Sequence, residues 1–88
     1  MDNLKYIADH YGRKPQLEML QEECAELIQA VSKYNRGKSF DNIAEEIADV
    51  EIMIEQIKYL FLCGNEVEQI KVEKIARQIK RIESEETE

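Results

Sequence analysis

Apolar residues recur along most of this chain at spacings of three and four. The longest run is Ile43, Ile47, Val50, Ile54, Ile57 and Phe61, an a/d seam with the period of an α-helix. Leu17, Leu20, Cys24, Leu27 or Ile28, and Val31 make a second stripe, and Val72, Ile75, Ile79 and Ile82 a third. Turn residues divide the pattern into four helices. A short first helix, about Asp2 to His10, closes at Tyr11-Gly12. Pro15 suits the first turn of a second, where its missing N–H would have no partner. That helix runs to about Tyr34 and ends in Asn35-Arg36-Gly37-Lys38. Ser39 is the expected N-cap of a third helix, from about Phe40 to Leu62. Cys63-Gly64-Asn65 then supplies a terminating glycine and a new cap, with Asn65 and Glu68 spaced as a capping box. The fourth helix spans about Glu66 to Glu83, and residues 84–88 are expected to fray.

The pattern predicts an all-α fold. One domain covers residues 1–88, and three amphipathic helices with short connections make an antiparallel helical bundle. Each seam is shorter than three heptads, which favours a compact bundle over a free coiled coil. A chain of 88 residues buries only about 60–65% of its unfolded surface, so oligomerisation is the expected source of additional core.

Charge narrows the function classes. Nineteen acidic and 12 basic side chains give a net charge of -7, which argues against a phosphate-backbone binder of DNA or RNA. Cys24 and Cys63 are too few for a disulfide framework and have no metal-ligand spacing. Their apolar neighbours predict buried, reduced thiols. The uncharged stretch from Tyr59 to Asn65 is far too short to span a membrane, and the N-terminus is no signal peptide. A cytoplasmic protein is expected.

Candidate chemistry lies in Glu22-Glu23-Cys24-Ala25-Glu26 and Glu45-Glu46-Ile47-Ala48-Asp49. Glu23 with Glu26, and Glu46 with Asp49, are neighbours three apart on a helix surface. On a helical wheel Glu23 lies about 90° from the centre of its apolar stripe, and Glu26 about 60° further round, beside Met19 and Ala30. Glu46 sits about 60° and Asp49 about 120° from the third helix's seam, in the sector of Met53 and Leu60. Glu22 and Glu45 fall nearly opposite the seams. Surface decoration by a good helix former accounts for any one pair alone. Side-by-side packing of the two edges would bring four carboxylates together, and such a cluster must be protonated or neutralised. There is no ExxH of the di-iron type, and His10, the single histidine, reads as a surface or packing residue. All-oxygen ligands suit Mg²⁺, and Mn²⁺ also fits.

A polyanionic substrate would need cations as well. Lys33 lies seven residues beyond Glu26 on nearly the same helical line, and Arg36 and Lys38 follow in the loop. Lys71, Lys74, Arg77 and Arg81 form a basic sector on the fourth helix. Each reads equally well as a solvated charge paired with a nearby Glu. Lys33, Arg36, Lys38, Lys74 and Arg77 are the candidate substrate-binding set. Tyr6, Tyr11, Tyr34 and Phe40 could stack on a base, although packing explains them too.

Together, QLEMLQEECAELIQAVSKYNRGK and NIAEEIADVEIMIEQIKYLF resemble the MazG-like, all-α nucleoside triphosphate pyrophosphohydrolase family. The family's hallmark is an ExxE on one helix and an ExxD on the next. Here these are Glu23-x-x-Glu26 and Glu46-x-x-Asp49, with nineteen residues between them. The resemblance covers about Gln16 to Phe61, and KIARQIKRI is similar to the family's closing helix more loosely. It implies Mg²⁺-dependent hydrolysis of an NTP or dNTP to the monophosphate and pyrophosphate, by water attack at the α-phosphorus. Glu23, Glu26, Glu46 and Asp49 would be the metal ligands and catalytic residues. It also implies a homodimer or dimer of dimers with sites made partly between subunits, and a second face of Met19, Ala30, Ile52 and Met53 is consistent with that. The chain lacks the insertions of the larger dimeric dUTPases and has no tryptophan for a base pocket. The rival expectation is a non-catalytic helical dimer, either an interaction module or a nucleotide or metal binder.

Overall fold

The computed structural model describes residues 2–86. They form four helices: α1 (Asn3–Tyr11), α2 (Arg13–Asn35), α3 (Asp41–Leu60) and α4 (Gly64–Glu86). There is no strand among the described residues. Asp2 caps α1 by accepting the Leu4 N–H at 2.7 Å, which satisfies one of the free donors of the first turn. Gly12, at φ 86, closes α1 through its N–H to the Ala8 carbonyl and lets the chain start α2 at once. Pro15 falls in the first turn of α2, as expected from its missing donor.

The ends of α2 and α3 use the same device. Gly37, at φ 94, donates to Tyr34 while Lys38 donates to Lys33. Leu62, at φ 54, donates to Tyr59 while Cys63 donates to Lys58. Both are Schellman closures with a left-handed residue after the helix. At the second, the structure corrects the sequence expectation: the left-handed residue is Leu62, not Gly64. Helix α4 already begins at Gly64, with Val67 donating to the Cys63 carbonyl. Asn65 is therefore inside the helix and makes no capping box. Ser39 accepts the Asp41 N–H at 3.1 Å, so it serves the start of α3 although Phe40 occupies the cap position. Ser84–Glu86, expected to fray, are helical, and residues 87–88 lie outside the described residues.

Helices α2 and α3 run antiparallel. Arg13 donates to the Leu60 carbonyl at 3.0 Å at one end of the pair, and Gln16 donates to Gln56 a turn further in. Helix α1 lies against both, and α4 touches only α3 among the described residues. Lys58 and Glu68, 4.0 Å apart, sit at that joint. No residue of α4 is buried, and Val72, Ile75, Ile79 and Ile82 are each more than half exposed.

The expected compact bundle is thus half built: α1–α3 pack, and α4 projects. The radius of gyration is 16.8 Å, against about 12 Å for a compact chain of this length. The accessible surface is 7124 Å², where a compact monomer of this mass exposes about 5,400 Å².

The buried face also differs from the apolar seams. Ala8, Ala30, Ile43, Val50 and Met53 form the core. Ile47, Ile54 and Phe61, expected inside, are exposed, as are Leu17, Ile28 and Val31. Ala30 and Met53, placed by the sequence on a second, intersubunit face, are buried between α2 and α3. Two paired helices can bury only one side of each, and these two meet through the edge carrying the small Ala30 and the acidic pairs. Of the two main seams only Ile43 and Val50 are buried, and the rest is half-buried or exposed. Cys24 and Cys63 are free and half-buried rather than fully inside.

Candidate metal centre

Antiparallel pairing of the acid-bearing edges sets ExxE beside ExxD. Glu23, Glu26, Glu46 and Asp49 each offer an oxygen within 4.8 Å of the other three. Glu23, Glu46 and Asp49 are half-buried, and Glu26 faces solvent. Across the interface Glu23 stands against Asp49, and Glu46 against Glu26. Glu22 and Glu45 are exposed and stand outside this cluster. The four acids that converge are the ones whose helical-wheel positions border the apolar stripes, and Glu22 and Glu45 are not among them.

This arrangement is electrostatically costly. Burial raises the Glu23 carboxyl above the ordinary glutamate value, and the charges of Glu26, Asp49 and Glu46 add to it. Glu46 is raised likewise, by burial first and then by Glu26 and Asp49. Glu23 Oε2 and Glu46 Oε2 are buried without any hydrogen-bond partner. A buried carboxylate oxygen with no donor is destabilising unless a proton or cation meets it. No Lys or Arg forms an ion pair with any of the four among the described residues. The donor set is all oxygen, carried on two packed helices, and fits a hard divalent cation such as Mg²⁺ or Mn²⁺.

The basic candidates are dispersed. Lys33 is in the last turn of α2 and Lys38 in the turn after it. Arg36 donates to Ser32 Oγ at 2.9 Å. These three lie beyond Glu26 toward the α2–α3 turn. Lys74 and Arg77 line a shallow surface with Gln78 and Arg81 on α4 itself, and α4 has no contact with α2. One chain alone does not bring Lys74 and Arg77 to the carboxylates. Of the aromatics, Tyr34 and Phe40 pack edge to face, centroids 5.5 Å apart, at the turn. Tyr6 and Tyr11 are exposed. His10 meets Tyr11 edge to face, a packing role.

Sequence reasoning missed two polar residues. Gln16 and Gln56 are 5% and 1% exposed, the only buried polar side chains among the described residues, and they bond to one another. Gln16 stands seven residues before Glu23, and Gln56 seven after Asp49. Extending the two acid lines by two helical turns would have found them.

Comparison with protein-family models, with curated proteins and with solved structures finds no match to this chain. No helix of the described residues is long and apolar enough to cross a membrane.

Proposed function

We propose that this chain is a nucleotide pyrophosphohydrolase of the MazG-like type, cleaving an NTP or dNTP to the monophosphate and pyrophosphate. The observation that carries this reading is the convergence of four carboxylates from two helices, with two of their oxygens buried and unpartnered. Glu23, Glu26, Glu46 and Asp49 would hold Mg²⁺. When bound, the ion offsets the triphosphate's charge and makes water a better nucleophile.

The protein's own part is positioning and proton handling. The half-buried acids fix the site on two packed helices, and exposed Glu26 marks the side from which solvent and substrate reach it. A carboxylate of the four takes the proton of the water that attacks the α-phosphorus. Lys33, Arg36 and Lys38 supply positive charge at the adjoining turn.

The unit is a dimer in this reading. The uncovered seam of Ile47, Ile54 and Phe61, the bare stripe of α4 and an accessible surface far above that of a compact monomer all support a second copy. That copy's α4 can bring the basic side chains that one chain leaves distant. The same exposed faces would serve a non-catalytic interaction module, so activity decides between the two.

A screen for pyrophosphate release over NTPs and dNTPs, with and without Mg²⁺, tests the reading. Turnover of at least one nucleotide is expected, dependent on the metal and reduced roughly 10²–10⁴-fold in Glu46→Ala. A folded protein inactive across the panel would leave the interaction module as the better account.

A further inference from the structure

Helix α4 carries its apolar stripe in a palindromic order. Val72 and Ile82 lie five residues either side of Arg77, and Ile75 and Ile79 two either side. In heptad terms Val72 and Ile79 are a positions, and Ile75 and Ile82 are d positions. Laid antiparallel on a second copy of itself, the stripe closes without a gap. Val72 meets Ile82 of the other copy, Ile75 meets Ile79, and twofold symmetry repeats both layers. All four are more than half exposed, and no residue of α4 is buried within its own chain.

We propose that α4 pairs antiparallel with α4 of a second copy, about a twofold axis level with Arg77. This names the surface through which the dimer of the reading above forms, and it rests on that dimer and not on the hydrolase chemistry. The side chains flanking the stripe select the partner. Lys71, one residue before Val72, comes beside Glu85, three after Ile82 of the other copy, and symmetry makes this pair twice. Gln78 meets Gln78 on the same edge. The other edge sets Gln69 beside Glu83, and Ala76 against Ala76 where the two helices cross the axis. No like charges face each other along either edge, and edge charges fix partner and orientation in paired helices. A parallel pair would set Lys71 beside Ala76 and lose both ion pairs. The next layer outward, Glu68 against Glu86, ends the apolar seam. Glu68 has Lys71 at 3.4 Å and Lys58 at 4.0 Å to offset it.

Length and area agree with this occupant. Glu86, the last described residue of α4, falls level with Glu68 of the other copy, so each arm lies along the other without meeting the other's α3. The accessible surface exceeds that of a compact monomer by about 1,700 Å². A standard interface takes about 800 Å² from each partner. The rival cover for the stripe is the seam of Ile43, Ile47, Val50 and Ile54 on α3, which has matching spacing. Ile43 and Val50 are already buried, so that seam cannot receive a second helix in full, whereas α4 offers its whole stripe. Lys74, Arg77 and Arg81 fall on the opposite side of α4, and the pairing leaves them open to phosphate.

The test uses the full chain. Dimer dissociation constants are measured by sedimentation for wild type, Lys71→Glu, Glu85→Lys and Lys71→Glu/Glu85→Lys. Each single change sets like charges face to face twice and should weaken the dimer roughly tenfold or more. The double change restores opposite charges and should return to within about threefold of wild type. Lys71→Glu loses its pairing with Glu68 in the single and double variants alike, so recovery can come only from residue 85. Geometry is read separately from a nitroxide on Glu83→Cys, in a chain with Cys24→Ser and Cys63→Ser, mixed with ¹⁵N-labelled wild type. Broadening should centre on amides around Lys71 of the isotope-labelled chain, about 18 Å along the helix from residue 83. Broadening around residue 83 would mean parallel pairing, and broadening at Ile43 and Ile47 would mean the α3 seam. Either overturns the proposal while the dimer stands, as would a dimer indifferent to both charge reversals. A monomer at all concentrations overturns the pairing and the dimer together. Pyrophosphate release is no readout here, so failure of the hydrolase reading would leave these results unchanged.

Discussion

A glutamate held among other carboxylates resists giving up its proton, and Glu23 and Glu46 are both in that position. Their folded pKa values lie above the ordinary 4.5. As pH rises above 4.5 the unfolded chain loses protons that the folded chain still holds at these two sites. The folded state then binds more protons, so stability declines with rising pH until both groups have ionised. Lys58 and Tyr59 are also raised, by Glu55 and Asp9 respectively, but they titrate far above this window. Melting in chelator should therefore occur at higher temperature near about pH 5 than near about pH 7. Glu46→Gln should flatten the difference, and Mg²⁺ should reverse it by stabilising the ionised cluster. An identical pH profile in Glu46→Gln would show that the cluster stores no such strain.

At the scale of the elements, the acid pairs were legible because their signal is local. Three-residue spacing and a wheel suffice to set Glu23 and Glu26 on one edge and Glu22 on another. The helix ends were legible where glycine carries the left-handed turn, as at Gly12 and Gly37. They were misread at Leu62, because a leucine gives no hint that it will adopt that conformation. Gln16 and Gln56 were missed because glutamine in a helix reads as surface. Helix α4 was foreseen as a helix but not in its place, since an amphipathic stripe says that it wants a partner and not which chain provides one. A stripe with Ile75 and Ile79 about half exposed is what self-association would cover. Sedimentation should show wild type at twice the mass of one chain, and Ile75→Asp/Ile79→Asp as a monomer with its helicity retained. A wild-type monomer at all concentrations would remove the second subunit from the account.

Over the whole molecule, the proposed function makes two features that look unfavourable in isolation parts of one site. A chain with net charge -7 concentrates four acids where α2 meets α3, and a fold with excess surface holds the basic sector of α4 away from them. In the proposed function, neutralisation by a divalent cation and completion by a second copy would answer both, and a polyanionic substrate would then be compatible with an acidic protein. The central claim is water attack at the α-phosphorus, and hydrolysis in ¹⁸O-water with analysis of both products tests it most directly. The account predicts the label in the nucleoside monophosphate and none in the pyrophosphate. Label in pyrophosphate, or release of single phosphates instead, would contradict it.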